Sequence, residues 1–329
     1  VQVTKDGSQN IFITGGAGFF GSVFAKRLLS LKTISKITIF DRNSLNEERS
    51  KINFTDSRIA LVEGDLKDPA LLRQSMAGHD TVIHLASNPD IARAVKEPTI
   101  DFEEGTVLTQ NMLEAARTCG VSKVLYASGS GVYGDAGAAE LQEQDCGRLP
   151  ISTYGASKLA GEALLSAYCH MFALCGIVFR FANIVGAGQT HGIALDFVEK
   201  LRKNPRELLI LGDGSQTKSY IHADDAFDAV WLAHEKCGDQ FKFDIFNVAT
   251  ADAVSVNEIA MIAIEEVVGK DAKVALKYTG GERGWKGDVP VVKLNTEKIR
   301  ALGFAPKHNS GQAVRLAIRG ILAGAAGSS

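Results

Sequence analysis

Residues 10–31 read NIFITGGAGFFGSVFAKRLLSL. The first part, 10–16, reads as a buried strand. Residues 20–31 place Phe20, Val23, Phe24, Leu28 and Leu31 along one side of a helix. Between the two lies a glycine turn, Gly16-x-Gly18-x-x-Gly21, with Gly15 before it and Phe19 and Phe20 inside it. A tight strand-to-helix turn needs residues without Cβ where backbone must come close to a ligand. The opening turn of the helix also offers unpaired N–H groups to an anion. A glycine triplet alone is a weak signal. Placed after a strand and before a helix, it reads as a loop that cradles a dinucleotide pyrophosphate.

The residues that follow extend this reading. KITIFD (36–41) is a second strand ending in Asp41, twenty residues beyond Gly21. A carboxylate there can accept hydrogen bonds from the adenosine ribose hydroxyls, which favours NAD over a cofactor carrying a 2′-phosphate. Arg42 pulls the other way, because a neighbouring guanidinium could tolerate NADP; the balance favours NAD. GDLKD (64–68) puts Asp65 and Leu66 where an adenine ring would lie, with a helix N-cap as the alternative role for Asp65. HLAS (84–87) ends the fourth strand, and Leu85, Ala86 and Ser87 would let a cofactor lie close to the backbone.

Further strands are expected at 58–65, 80–86, 123–128 and 176–183, with helices near 68–76, 99–119 and 153–174. Such alternation predicts an α/β fold: a Rossmann-type, doubly wound parallel sheet covered by helices on both faces. Beyond Asn183 the rhythm changes to glycine-containing loops and shorter helices, near 193–202, 222–236, 255–267, 295–302 and 310–322. The expected division is an NAD-binding domain at 8–183, completed by 218–250, and a smaller mixed α/β substrate-binding lobe formed by 184–217 and 251–323. That lobe would close over the crevice at the carboxyl ends of the strands. The chain starts on Val and ends in GAAGSS (324–329), and both ends read as processing or tag remnants.

Composition narrows the function classes. With 36 Lys plus Arg against 38 Asp plus Glu and no long basic run, a nucleic-acid partner is not expected. No apolar run approaches the ~18 residues of a membrane span. Cys119, Cys146, Cys169, Cys175 and Cys237 are odd in number and lack C-x-x-C spacing, so neither a disulfide framework nor a metal site is expected. A reducing cytoplasm fits that pattern best, and no signal peptide is read at the start.

TYGASK (153–158) holds Tyr154 and Lys158 four positions apart. Alone the pair decides nothing. Together with TGGAGFFG (14–21), GDLKD, HLAS, YASGSGVYG (126–134), RFANIVG (180–186), GDGSQTKSYIHADD (212–225) and RGWKGDVP (283–290), it resembles the extended short-chain dehydrogenase/reductase family, and within it the nucleotide-sugar epimerases and dehydratases, over residues 10–322. The resemblance implies a Tyr154 phenolate that takes and returns the proton of a sugar hydroxyl. A free phenol has a pKa near ~10, so a lysine ammonium one helical turn away and the positive nicotinamide are needed to favour the phenolate. Lys158 would also bind the nicotinamide ribose, and Phe181 and Ser128 would join the cofactor contacts.

Several departures from the family pattern are informative. Many relatives carry Ser or Thr where this chain has Gly129, so Ser130 is the first choice for a substitute catalytic hydroxyl, Ser128 the second, and water a third. The dehydratases carry an Asp–Glu pair at the positions of Ser130 and Gly131, and the decarboxylases a Glu at that of Gly131. Elimination needs an acid–base carboxyl there; an epimerase does not. An Asn of the family is replaced by Phe102, and Asn111 is expected only to face the helix surface. Asn183, Lys218, Arg283 and Asp288 are the expected contacts to a nucleotide diphosphate, with Trp285 and Lys286 nearby and Gln189, Thr190 and His191 forming a loop that could touch the sugar. The expected activity is NAD-dependent epimerisation of a UDP-hexose at C4, with a nucleotide-sugar ketoreductase or dehydrogenase as the alternative and a silent NAD-binding protein as a third reading. By the same resemblance the chain would pair as a homodimer through the helices at 99–119 and 153–174.

Overall fold

The computed structural model describes residues 8–43, 55–145, 147–238, 242–284 and 287–326. It divides into two compact units: residues 1–129, 156–180 and 230–246 form the first, and 130–155, 181–229 and 247–329 the second.

The first unit is built on a seven-stranded sheet. Its strands are β1 (Gln9–Thr14), β2 (Ile34–Asp41), β3 (Ile59–Glu63), β4 (Thr81–His84), β5 (Lys123–Gly129), β7 (Cys175–Phe181) and β12 (Phe243–Val248). They lie in the order β12-β7-β5-β4-β1-β2-β3. The pairs among β1 to β5 are all parallel. Ile11, Phe12, Ile13 and Thr14 are all buried, with the three apolar residues consecutive, as suits a strand covered on both faces. Helices α1 (Phe19–Leu29), α2 (Pro69–Met76) and α3 (Val107–Cys119) flank it. Asp68 caps α2, accepting from the N–H groups of Ala70 at 3.0 Å and Leu71 at 3.1 Å, with Pro69 in the first turn. The cap is therefore Asp68; Asp65, the residue considered for it, instead closes a two-residue turn by accepting from Lys67 N at 2.9 Å. α4 (Thr153–Met171) and α6 (Ala223–Lys236) each carry the chain from one unit to the other.

The second unit holds short strands only: β6 (Glu140–Leu141), β8 (Asn183–Val185), β9 (Glu207–Ile210), β10 (Thr217–Lys218), β11 (Tyr220–His222), β13 (Val254–Ser255), β14 (Ala275–Tyr278) and β15 (Val291–Leu294). Its helices α5 (Ile193–Lys203), α7 (Val256–Val267) and α9 (Ser310–Ala326) share an apolar core that includes Phe197, Ile259 and Val314. A small helix, α8 (Glu297–Ala301), completes it.

The partition departs from the sequence boundary. Residues 130–155 and 218–229 cluster with the second unit, whereas 230–246 belong with the first, where β12 extends the sheet edge beside β7. Hydrogen bonding explains the first shift: the Tyr133 hydroxyl donates to Asn247 Oδ1 at 2.6 Å, and Asn247 Nδ2 donates to the carbonyls of Leu141 and Asn295. α9 runs on through Ala326, so the first residues of the expected tail remnant are helical.

Candidate active site

The glycine turn is shaped by close backbone approach. Gly15 has φ +69°, and a Cβ there would lie 2.7 Å from Ala86 N at the end of β4. A Cβ on Gly21 would lie 2.5 Å from the Gly15 carbonyl oxygen. Gly18 is the N-cap of α1, and no side chain caps the first turn. An open helix N-terminus behind a cradle that any Cβ would fill fits the pyrophosphate of a dinucleotide. Asp41 braces this turn: Oδ2 accepts from Ala17 N and Oδ1 from Asn43 N, each at 3.0 Å. A carboxylate has about four acceptor positions, so capacity for ribose hydroxyls remains. Arg42 is ion-paired with Glu104. Leu66 is buried in the core, and its carbonyl accepts from Asn111 Nδ2 at 3.0 Å. Asn111 thus does more than face the helix surface: it fixes the loop after β3. Phe20 packs edge-on against Phe24, ring centres 4.8 Å apart, and half-buried Phe19 gives its carbonyl to Ser22. Leu85, Ala86 and Ser87 are half-buried beyond β4.

Tyr154 and Lys158 stand one turn apart at the start of α4. Tyr154 is half-buried. The turn Ser130–Tyr133 comes close to the first turn of this helix: a Cβ on Gly155 would meet the Gly131 carbonyl oxygen at 2.5 Å, so Gly155 has no room for a larger residue, whereas a Cβ on Gly131 would lie at an ordinary 3.6 Å from Gly155 Cα. Ser130 is half-buried there.

Lys158 is buried, its Nζ donating to the Ala127 carbonyl at 2.8 Å and lying 5.4 Å from the Tyr126 ring centre. Burial pushes its ammonium from 10.5 down to about 8, against the raising influence of Glu162 and Asp101. Because the folded value is the lower one, burying Lys158 opposes folding below about pH 8, and does so less as pH rises from 8 toward 10.5. In the protein carrying ¹³C-labelled lysine, we expect one ε-carbon resonance titrating near pH 8 and missing from Lys158→Met; a midpoint above about 10, the ordinary lysine value, would contradict the burial account. His84 sits deeper, bonded to Thr14 Oγ1 at 2.7 Å and Thr109 Oγ1 at 3.1 Å, and burial lowers its pKa to about 3, so it stays neutral.

Ser128 turns inward. It is buried and gives its hydroxyl to Glu162, which is itself paired with Arg180 through contacts of 2.6 and 3.0 Å. The one proton of that hydroxyl is therefore committed to the buried ion pair. Sequence reasoning missed Glu162 and Arg180. Their signal was a carboxylate one turn beyond Lys158 and an arginine inside an apolar strand.

In the second unit three expected residues come together. Lys218 Nζ contacts Asp288 Oδ1 at 2.5 Å, and Arg283 donates to the Asp288 carbonyl and to Asp135 Oδ2 at 2.6 Å. Asp135 was not foreseen, although it directly follows the VYG run. Asn183 is exposed at the start of β8 and is not joined to this cluster by a hydrogen bond among the described residues. Gln189 is buried, accepting from Gly186 N and donating to the His191 carbonyl, so it braces its own loop. Thr190 and His191 are exposed. Phe181 is buried at the end of β7, and Phe102 is 62% exposed. Trp285 and Lys286 lie outside the described residues.

This geometry has counterparts. A model of the NAD dependent epimerase/dehydratase family matches residues 11–249, and the chain belongs to that family. Among individual relatives, it is similar to a UDP-glucose 4-epimerase of Azospirillum brasilense, 30% identical over 92% of this chain and 88% of that one. A solved UDP-galactose 4-epimerase superposes with a TM-score of 0.81 at 36% identity, covering 95% of this chain and 98% of the other. A dTDP-glucose 4,6-dehydratase from Streptomyces venezuelae, solved with NAD bound, superposes with a TM-score of 0.84 at 25% identity, covering 94% and 96%. The protein is thus an NAD-dependent enzyme of the extended short-chain dehydrogenase/reductase group. No helix among the described residues is long and apolar enough to cross a membrane.

Proposed function

We propose that this chain epimerises a nucleotide-diphosphate sugar, a UDP-hexose at C4. The observation that carries the choice is the turn Ser130–Tyr133 against the first turn of α4, which presents Ser130 and Gly131 and no carboxyl. The overall fold does not choose, since epimerases and a dehydratase superpose equally well. Elimination of water would need a carboxylic acid at that turn.

NAD, when bound, takes a hydride from a sugar carbon and returns it. Gly15, Gly18 and Gly21 with the start of α1 would hold its pyrophosphate, Asp41 its adenosine ribose, and Lys158 its nicotinamide ribose. Tyr154 receives the proton of the sugar hydroxyl on its phenolate oxygen and gives it back, while Lys158 supplies positive charge one turn away that favours the phenolate. Ser130 donates a hydrogen bond to the reacting sugar oxygen. Lys218 and Arg283 face the diphosphate; since Asp288 and Asp135 already hold them, their role is to orient rather than to add net positive charge. Asn183 contributes a further polar contact. Pairing through α3 and α4 belongs to this reading as well: Met171 is 71% exposed at the end of α4, and sedimentation of the purified chain tests for a dimer.

Purified protein given NAD and UDP-galactose is expected to yield UDP-glucose by NMR, with no net change in absorbance at 340 nm. Steady consumption of a reduced cofactor with a keto-sugar would favour the ketoreductase instead. No conversion of any UDP-hexose by protein with NAD bound would end the C4-epimerase reading.

A further inference from the structure

At the ends of β2 and β3 two cations converge on one carboxylate. Arg42, directly after Asp41, donates from Nη1 to Glu104 Oε2. Lys67, two residues past Asp65, donates from Nζ to the other oxygen, Glu104 Oε1, at 3.3 Å. Glu103 is a weaker partner, 4.0 Å from Lys67. Glu104 is the inner member of the set, its side chain 16% exposed against 49% for Arg42 and 40% for Lys67. It is supplied by the turn Phe102–Thr106, a single wide turn of π-type hydrogen bonding ahead of α3. That turn is itself anchored: a Cβ on Gly105 would meet Ser157 Oγ at 2.2 Å, and Thr106 donates to the same hydroxyl at 3.1 Å. The carboxylate is therefore held in place by packing against α4 rather than left to wander.

The side of the adenosine ribose is set by Asp41, and Arg42 and Lys67 stand beside it at the same strand ends. A 2′-phosphate would arrive there with close to two negative charges and would need such cations. We infer that Glu104 determines cofactor specificity: by pairing both Arg42 and Lys67 it withholds them from a 2′-phosphate, so the site disfavours NADP. Asp41 alone would leave an adjacent arginine free to compensate; Glu104 removes that compensation. The inference concerns only the cofactor and stands whichever sugar the chain takes.

Equilibrium competition between NAD and NADP on the full chain tests it, after the nucleotide already bound has been measured in acid extracts. Glu104→Gln keeps the shape and removes the charge. The expected result is NADP binding tighter by about tenfold, with NAD affinity changed less than about twofold, as suits the release of two charge-assisted contacts to a dianion. Glu104→Asp, one methylene shorter, is expected to shift the ratio the same way by less. Glu103→Gln is expected to move it less than Glu104→Gln. Adding both Arg42→Ala and Lys67→Ala to Glu104→Gln should take the gain away. An unchanged NADP/NAD ratio in both Glu104 variants would overturn the proposal. So would a gain that survives the loss of both Arg42 and Lys67.

Discussion

Tyr154→Phe is expected to lower turnover about a thousandfold, the scale of a lost general acid–base group, while leaving NAD binding within about twofold. The substitution deletes one oxygen. It leaves the ring, the helix start and the close approach of Gly155 to Gly131 as they are. NAD contacts assigned to the glycine turn, Asp41 and Lys158 are untouched. The two measurements must therefore separate: kcat for the sugar falls, and the NAD dissociation constant does not. Turnover at the wild-type rate would show that another group carries the proton, and Ser130 would be the first to examine. Loss of both would mean that the phenol has a structural part as well, and thermal unfolding of the variant would register it.

Glu162→Ala is expected to destabilise the fold by about 3–5 kcal/mol, because it strands a buried arginine. Glu162 and Arg180 have side chains 4% and 5% exposed, and their guanidinium–carboxylate contact is two-pronged. Ser128 adds a third hydrogen bond, so β5, α4 and β7 are tied at one point. Removing both charges should be far milder: Glu162→Met with Arg180→Met leaves no unpaired ion and fills the space with apolar atoms. Urea unfolding of the two variants provides the comparison. Equal losses in the single and double variants would show that packing, not the stranded charge, sets the cost. Ser128→Ala should cost about 1 kcal/mol or somewhat more, as for a lost hydrogen bond to a charged group.

The first half of the fold was legible because its signals are local. A strand covered on both faces must be continuously apolar, and a strand-to-helix turn packed on its neighbours must be glycine; both demands are written within residues 10–31. Tyr154 and Lys158 were legible for a similar reason, since four residues of helix always stack two side chains. Asp68 could have been preferred to Asp65 as the cap of α2, because it directly precedes Pro69 and that proline fits the first helical turn.

The remainder depended on contacts distant in sequence. Ser128 and Ser130 look alike in SGSG, yet one turns to Glu162 and the other does not, a choice made by a carboxylate 34 positions away. Arg42 reads as a possible phosphate ligand until Glu104, 62 positions on, is found holding it. Residues 130–155 follow directly from β5 but join the second unit, because the hydrogen-bond partner of Tyr133 is 114 positions away at Asn247. By itself, then, the sequence determined the sheet, the glycine turn and the helix that carries Tyr154 and Lys158, whose causes lie within a few residues of one another. Which hydroxyl is tied to an ion pair, which cation is neutralised and where the units divide were decided only by tertiary structure, because a polar side chain takes its role from the partner that folding brings to it.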